Sequence, residues 1–84
     1  MDNQEFDLLD ELYFVKTFAE LTGTVAMEAT TVKKVLQQMI TKNWVKILDA
    51  DDNEIRFEPS QFDQEFKKYH YIATKAGLLA HNGR

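Results

Sequence analysis

Val32, Val35, Leu36, Met39 and Ile40 stand at i, i+3, i+4, i+7 and i+8, the apolar stripe of an α-helix without a miss. A helix patterned in this way has to bury that stripe. The chain has 84 residues and no cysteine, so the core receiving it must hold by packing alone, which favours helices, or helices with a hairpin. The opposite face carries Thr30, Lys34, Gln37, Gln38 and Thr41, flanked by Lys33 and Lys42, with no acid between Ala29 and Leu48. That face is expected to be exposed and basic. Asn43 follows the last turn, where Asn can adopt the left-handed conformation that ends a helix.

The other elements are read outward from this helix. Leu8, Leu12, Val15 and Ala19 share one helical stripe, widened by Leu9 and Tyr13 and faced by Asp7, Asp10 and Glu11, which predicts a first amphipathic helix. Phe14 and Phe18 lie off that stripe, which means either a second buried face or a turn near residues 15–17, and the turn is the preferred reading. Thr17 then caps a short second helix from Phe18 to Thr22, with Glu20 completing a capping box and Gly23 as its stop. Trp44 to Leu48 and Ile55 to Phe57 have the aromatic and β-branched content of strands, and the polar stretch from Asp49 to Glu54 joins them as a hairpin. Phe62, Phe66 and Tyr69 allow a short helix capped by Ser60, with an irregular loop as the alternative. Tyr69 to Thr74 reads as a last strand, and Thr74 as the cap of a terminal helix through Leu78, Leu79 and Ala80.

At this length one domain over residues 1–84 is expected. The apolar fraction of 44%, with three Gly and one Pro, is that of a chain that folds. The sequence has no apolar run of membrane-spanning length and begins MDNQEFD without the parts of a signal peptide, so a cytoplasmic location with no membrane contact is expected. The net charge of −4 is segregated: −6 over residues 1–28, +4 over 29–48, −6 over 49–66 and +4 over 67–84. Such blocks make an acidic side and a basic side, and whether the basic blocks meet depends on the fold.

The order of three helices, a strand opening on Trp44-Val45, a wing and a final strand resembles a winged helix-turn-helix. Ala29-Thr30-Thr31-Val32 through Val35-Leu36, Met39 and Asn43-Trp44-Val45 is similar to the recognition-helix segment of MarR and PadR regulators. Tyr71 through Leu79, with Thr74-Lys75-Ala76-Gly77 at its centre, is similar to the Tyr-x-Leu-Thr-x-x-Gly phrase that closes their wing. The resemblance spans Leu8 to Ala80 and implies an α+β fold: a three-helix core, a β-hairpin wing and a short C-terminal helix. Two features depart from the pattern. The segment from Asp49 to Lys68 is longer and more acidic than a phosphate-touching wing, and the long dimerisation helices of those families are missing.

Within that fold the third helix, about residues 28–42, is the expected reader of double-stranded DNA in the major groove, in a homodimer acting as a transcriptional regulator. Thr30, Thr31, Gln37, Gln38 and Thr41 supply groups for base edges, and Lys33, Lys34 and Lys42 supply charge for phosphate. Lys67 and Lys68, with His70 and Lys75, form the candidate basic flank of the wing, opposed by Asp51, Asp52 and Glu54 at its tip. The alternative reading is a winged helix that docks on a protein partner and not on DNA. No cofactor or metal is expected: Asp49-Ala50-Asp51-Asp52-Asn53 begins like a calcium loop, but Glu54 replaces the turn Gly and Ser60 the closing Glu. Catalysis has little to build on, with only Ser60, His70 and a near-terminal, frayed His81 as candidate partners, so no enzymatic activity is expected. Trp44, Phe57, Phe62, Phe66, Tyr69 and Tyr71 are read as core, with exposure near Phe62 and Phe66 as the alternative.

Overall fold

In the computed structural model, which describes residues 1–83, the chain runs α1 (Asn3–Asp10), β1 (Lys16–Thr17), α2 (Phe18–Thr24), α3 (Ala29–Thr41), β2 (Val45–Leu48), β3 (Glu54–Ile55), α4 (Pro59–Glu65), β4 (His70–Ala73) and α5 (Lys75–Asn82). Arg84, counted in the last basic block, lies outside the described residues. The four strands form one antiparallel sheet in the order β1-β4-β2-β3. The central pair runs from Val45 opposite Ala73 to Leu48 opposite His70. The architecture is thus α+β, three helices against a small sheet, with β2 and β3 as the hairpin and α5 closing the end.

Helix α1 starts at a capping box: Glu5 N–H donates to Asp2 Oδ1 at 2.8 Å, and Asp2 N–H donates to Glu5 Oε1 at 3.0 Å. These bonds satisfy two of the donors that a helix start leaves free. Leu8, Leu9 and Leu12 are buried, but Tyr13, Val15 and Ala19 are exposed. The expected stripe stops there because the helix tightens into a 3₁₀ turn at Glu11–Tyr13 and Phe14 becomes extended. The expected turn at 15–17 contains a two-residue strand, β1, which pairs Lys16 with Tyr71.

Thr17 and Glu20 form the expected capping box of α2, at 3.1 Å and 2.9 Å. Gly23 does not stop that helix; it continues to Thr24 and ends at the extended Val25. The turn at 25–28 leads into α3, whose Val32, Val35, Leu36 and Met39 are buried. Ile40 and Trp44 are half-buried against the same core. Asn43 has φ 61° and lets Trp44 N–H reach back to Met39 O at 2.8 Å, closing the helix in the manner of a Schellman turn.

The wing differs most from expectation. Strand β3 is Glu54–Ile55 rather than residues 55–57, and α4 begins at Pro59. Ser60 sits inside α4, and Glu58 holds the cap position without a side-chain bond. Proline explains the shift, because its fixed φ suits the first helical position, where no N–H is needed. The Asp49 carboxylate accepts from the N–H groups of Asp51 and Asn53 at 2.9 and 3.0 Å, closing a tight turn with Asp52 at φ 63°. Phe62 is fully buried, with Phe57, Phe66 and Tyr69 around it at ring separations of 5.4, 6.0 and 6.4 Å.

Helix α5 is capped by Thr74, whose Oγ1 accepts from Gly77 N–H at 3.0 Å and donates to Asn43 O at 2.6 Å. Its far end is anchored, not frayed. His81 stacks on Phe6 with ring centroids 4.1 Å apart and an interplanar angle of 10°. Its Nδ1 lies 2.8 Å from the Tyr13 hydroxyl.

Candidate nucleic-acid interface

The exposed face of α3 follows from its buried one. Thr30, Lys34, Gln37 and Thr41 stand at i, i+4, i+7 and i+11, a line on the side of the helix opposite Val32, Val35, Leu36 and Met39. Thr30, Lys34 and Thr41 are exposed and Gln37 is half-buried. Gln38 is exposed on one shoulder, with the partly covered Thr31 beside it. Lys33 occupies the other shoulder, toward the wing. The Thr41 hydroxyl donates to Gln37 O at 2.9 Å, which leaves only its acceptor capacity for a ligand.

The lysines divide into engaged and free. Lys33 Nζ is 2.9 Å from Asp63 Oδ1 of α4 and 4.8 Å from the centre of the Phe66 ring. Lys67 approaches the same ring at 5.9 Å, so the fold brings the two basic blocks together at Phe66. Lys68 pairs with Glu65 at 3.0 Å. Lys42 turns away from the α3 face toward α1, where it lies 2.7 Å from Glu5 Oε2 and 4.8 Å from the Trp44 ring centre. Among the described residues Lys34 and Lys67, together with Lys16 and Lys75, have no carboxylate partner. Exposed ion pairs contribute only about 0–1 kcal/mol each, but each one matters here because a paired lysine offers phosphate less charge.

Electrostatics around the face are mixed. His70 Nδ1 is 2.9 Å from Asp52 Oδ1, tying β4 to the hairpin tip, while Lys46 and Arg56 lie 3.8 Å from Glu54 and Glu58. The basic flank expected of Lys67, Lys68, His70 and Lys75 is therefore partly neutralised by the wing's own acids. An open groove of about 410 Å³ between α1 and residues 24–27 presents Asp7, Asp10 and Glu11. Among the described residues no group of three His, Asp or Glu side chains could hold a metal ion. No helix there is long and apolar enough to cross a membrane.

Two titration shifts bear on the frame of this site. Hydrogen bonds from Thr17 hold the Glu20 carboxyl below its ordinary range. Burial pushes the Tyr71 hydroxyl well above the ordinary tyrosine range, and that hydroxyl donates to Phe66 O. Tyr71 thus secures the carbonyl of the residue whose ring receives Lys33 and Lys67.

Glu5 was not among the sequence candidates, although it is 1% exposed and fixes Lys42. Asp2-x-x-Glu5 carries a readable signal for its cap role. Its pairing with Lys42 has no local signal, and neither does that of Lys33 with Asp63, thirty positions away. Exposure near Phe62 is not found, since Phe62 is buried. Apolar exposure lies instead at Phe14 and Leu79, at 76% and 64%.

No protein-family model and no curated protein matches the chain. Two solved structures are similar. One is the multiple antibiotic resistance repressor MarR, at 14% identity and a TM-score of 0.76, covering 99% of this chain and 53% of that one. The other is a mutant MarR from E. coli, at 15% identity and a TM-score of 0.74, covering 99% and 54%. The chain spans about half the length of these structures. At such identities the likeness is one of fold, and the chain has the winged-helix fold of MarR.

Proposed function

We propose that this chain is the DNA-binding winged helix of a transcription regulator, without enzymatic activity, and that α3 is its major-groove element. The observation that supports this best is the line of Thr30, Lys34, Gln37 and Thr41, exposed but for the half-buried Gln37, with Gln38 beside it, on a helix face free of acids. Hydroxyl and amide groups suit base edges, and Lys34 with Lys67 suits the phosphates on either side. Thr31 supports the N-terminal end of that face. Lys33, Lys42 and Lys68 are secondary, because each is already engaged by a carboxylate. Pairing of two copies would double these few contacts and raise the affinity far above that of a single copy.

A second reading has an observation of its own. The acids at Asp51, Asp52, Glu54, Glu58, Asp63 and Glu65 surround the wing, and an acidic wing suits a basic protein partner better than a duplex. Fluorescence polarisation with a random duplex separates the two. With Lys34 and Lys67 as the phosphate contacts of this face, the log–log slope of affinity against salt should be about −1.8 per protomer engaged, at ~0.9 per phosphate. Lys34→Ala should flatten it by about 0.9 and weaken all sequences alike, whereas Gln38→Ala should cost discrimination of about 1–3 kcal/mol at one base step and leave the slope unchanged. A protein-docking domain shows neither effect.

A further inference from the structure

Helix α4 lies between β3 and β4, within the wing, and its placement gives it a role beyond filling a loop. Phe62 roots it in the core with no exposed surface. Phe66, at its C-terminal end, packs edge-on against Phe18 of α2 with ring centroids 4.9 Å apart. From this position α4 reaches the wing-side shoulder of α3, and Asp63 meets Lys33 at 2.9 Å. The Lys33 ammonium is thus held between a carboxylate oxygen and the Phe66 ring. A charged oxygen is what a lysine would otherwise find on the phosphates of a nucleic-acid backbone.

We propose that α4 is a built-in competitor for the duplex: Asp63 occupies Lys33 in place of a phosphate oxygen and so holds the DNA affinity of the α3 face down. The inference rests on the DNA-binding reading. The two partners are unequally covered, with side-chain exposures of 28% for Lys33 and 62% for Asp63. Asp63 is therefore free to swing into solvent while Phe62 and Phe66 keep α4 seated, and Lys33 stays on the shoulder to meet a phosphate. Exposed pairs of this kind are weak and screened by salt, so the competitor yields to a ligand with several phosphates and still suppresses loose, nonspecific binding. Glu65 acts in the same sense on Lys68 at 3.0 Å.

The test is a double-mutant cycle read by fluorescence polarisation with a random 20-base-pair duplex, titrated in salt. Asp63→Asn frees one lysine per protomer. At about 0.1 M salt this should tighten binding about eightfold per protomer and steepen the salt slope by ~0.9. Lys33→Ala alone should change little, and Lys33→Ala with Asp63→Asn should lose the gain. Asp7→Asn removes the same charge from the exposed face of α1 and serves as the control for net charge. Binding by Asp63→Asn where the wild type shows none would support the inference outright. A gain no larger than that of Asp7→Asn, or one that persists without Lys33, overturns it and leaves the DNA-binding reading standing. Absence of binding by every variant at tens of micromolar overturns both.

Discussion

Gly77 stands in the first turn of α5, where alanine would ordinarily improve a helix by up to about 1 kcal/mol. The structure reverses that expectation. A Cβ at Gly77 would lie 2.1 Å from the carbonyl oxygen of Trp44, with the carbon and Cα of the same residue at 2.9 and 3.1 Å. Ordinary contact begins near 3.4 Å, so α5 would have to retreat by about 1.3 Å from backbone that cannot rotate aside. That retreat pulls on two bonds, Thr74 N–H to Trp44 O at 2.9 Å and Thr74 Oγ1 to Asn43 O at 2.6 Å. Overpacking costs about 1–3 kcal/mol and each weakened bond about 1 kcal/mol. Less the gain in propensity, Gly77→Ala should destabilise by about 2–4 kcal/mol. For a chain of this size that lowers Tm by roughly 10–25 °C in a thermal melt followed by circular dichroism. Gly23 in α2 is the matched control: nothing lies within 4 Å of its Cβ position, so Gly23→Ala should stabilise by about 0.5–1 kcal/mol. A Gly77→Ala variant melting at or above the wild type would refute the close approach.

Three further outcomes follow from packing and charge. Met39→Asp places an unpaired charge at a site with no solvent exposure and should leave the chain unfolded by far-ultraviolet circular dichroism at 25 °C, because the cost rivals the whole stability of so small a core. Lys42→Ala strands the buried Glu5 carboxylate and should cost about 1–3 kcal/mol in urea unfolding, while Lys34→Ala, which lacks a carboxylate partner, should stay within about 0.5 kcal/mol of the wild type. Glu20 and Tyr71 contribute to stability on opposite pH limbs. Glu20 is held below its ordinary pKa of 4.5, so its contribution is complete above about pH 4.5 and is lost as pH falls through the folded value, a loss that Glu20→Gln should remove from the acid limb. Tyr71 is raised above its ordinary 10.0, so its contribution is complete below pH 10 and is lost as pH rises further, an alkaline limb that Tyr71→Phe should flatten in melts recorded from pH 9 to 12.

The fold was legible where one element carried its own signal. The stripe of α3, the Thr17 and Thr74 caps and the left-handed Asn43 all depend on residues close together in sequence, and each stands as read. The Thr74-x-x-Gly77 phrase also acquires a physical reason. Threonine caps the helix and glycine admits the Trp44 carbonyl. Misreadings fell where tertiary contact decides. The stripe of α1 continues on paper through Val15 and Ala19, but pairing of β1 with β4 turns the chain before they can be buried. Ser60 has the chemistry of a cap, yet Pro59 moves the helix start past it. His81 looked terminal and is anchored because α1 lies beneath it.

The candidate site divides along the same line. Periodicity was enough to place Thr30, Lys34, Gln37 and Thr41 on one face. It could not show which lysines that face keeps for a ligand, since the partners of Lys33 and Lys42 come from α4 and α1. Counting charges along the chain made the whole third helix look basic. Folding removes two of its three lysines from that count and leaves Lys34 as the free charge on α3.

Residue-resolved binding tests this account most directly. Amide spectra of the ¹⁵N-labelled chain, titrated at low salt with a 20-base-pair duplex, should shift at Thr30, Thr31, Lys34, Gln37 and Gln38 and at Lys67, while α1 and the groove beside Asp7 stay still. Shifts confined to the acidic wing or to α1 and α5, or none at tens of micromolar duplex, would contradict the claim that α3 is a nucleic-acid reader.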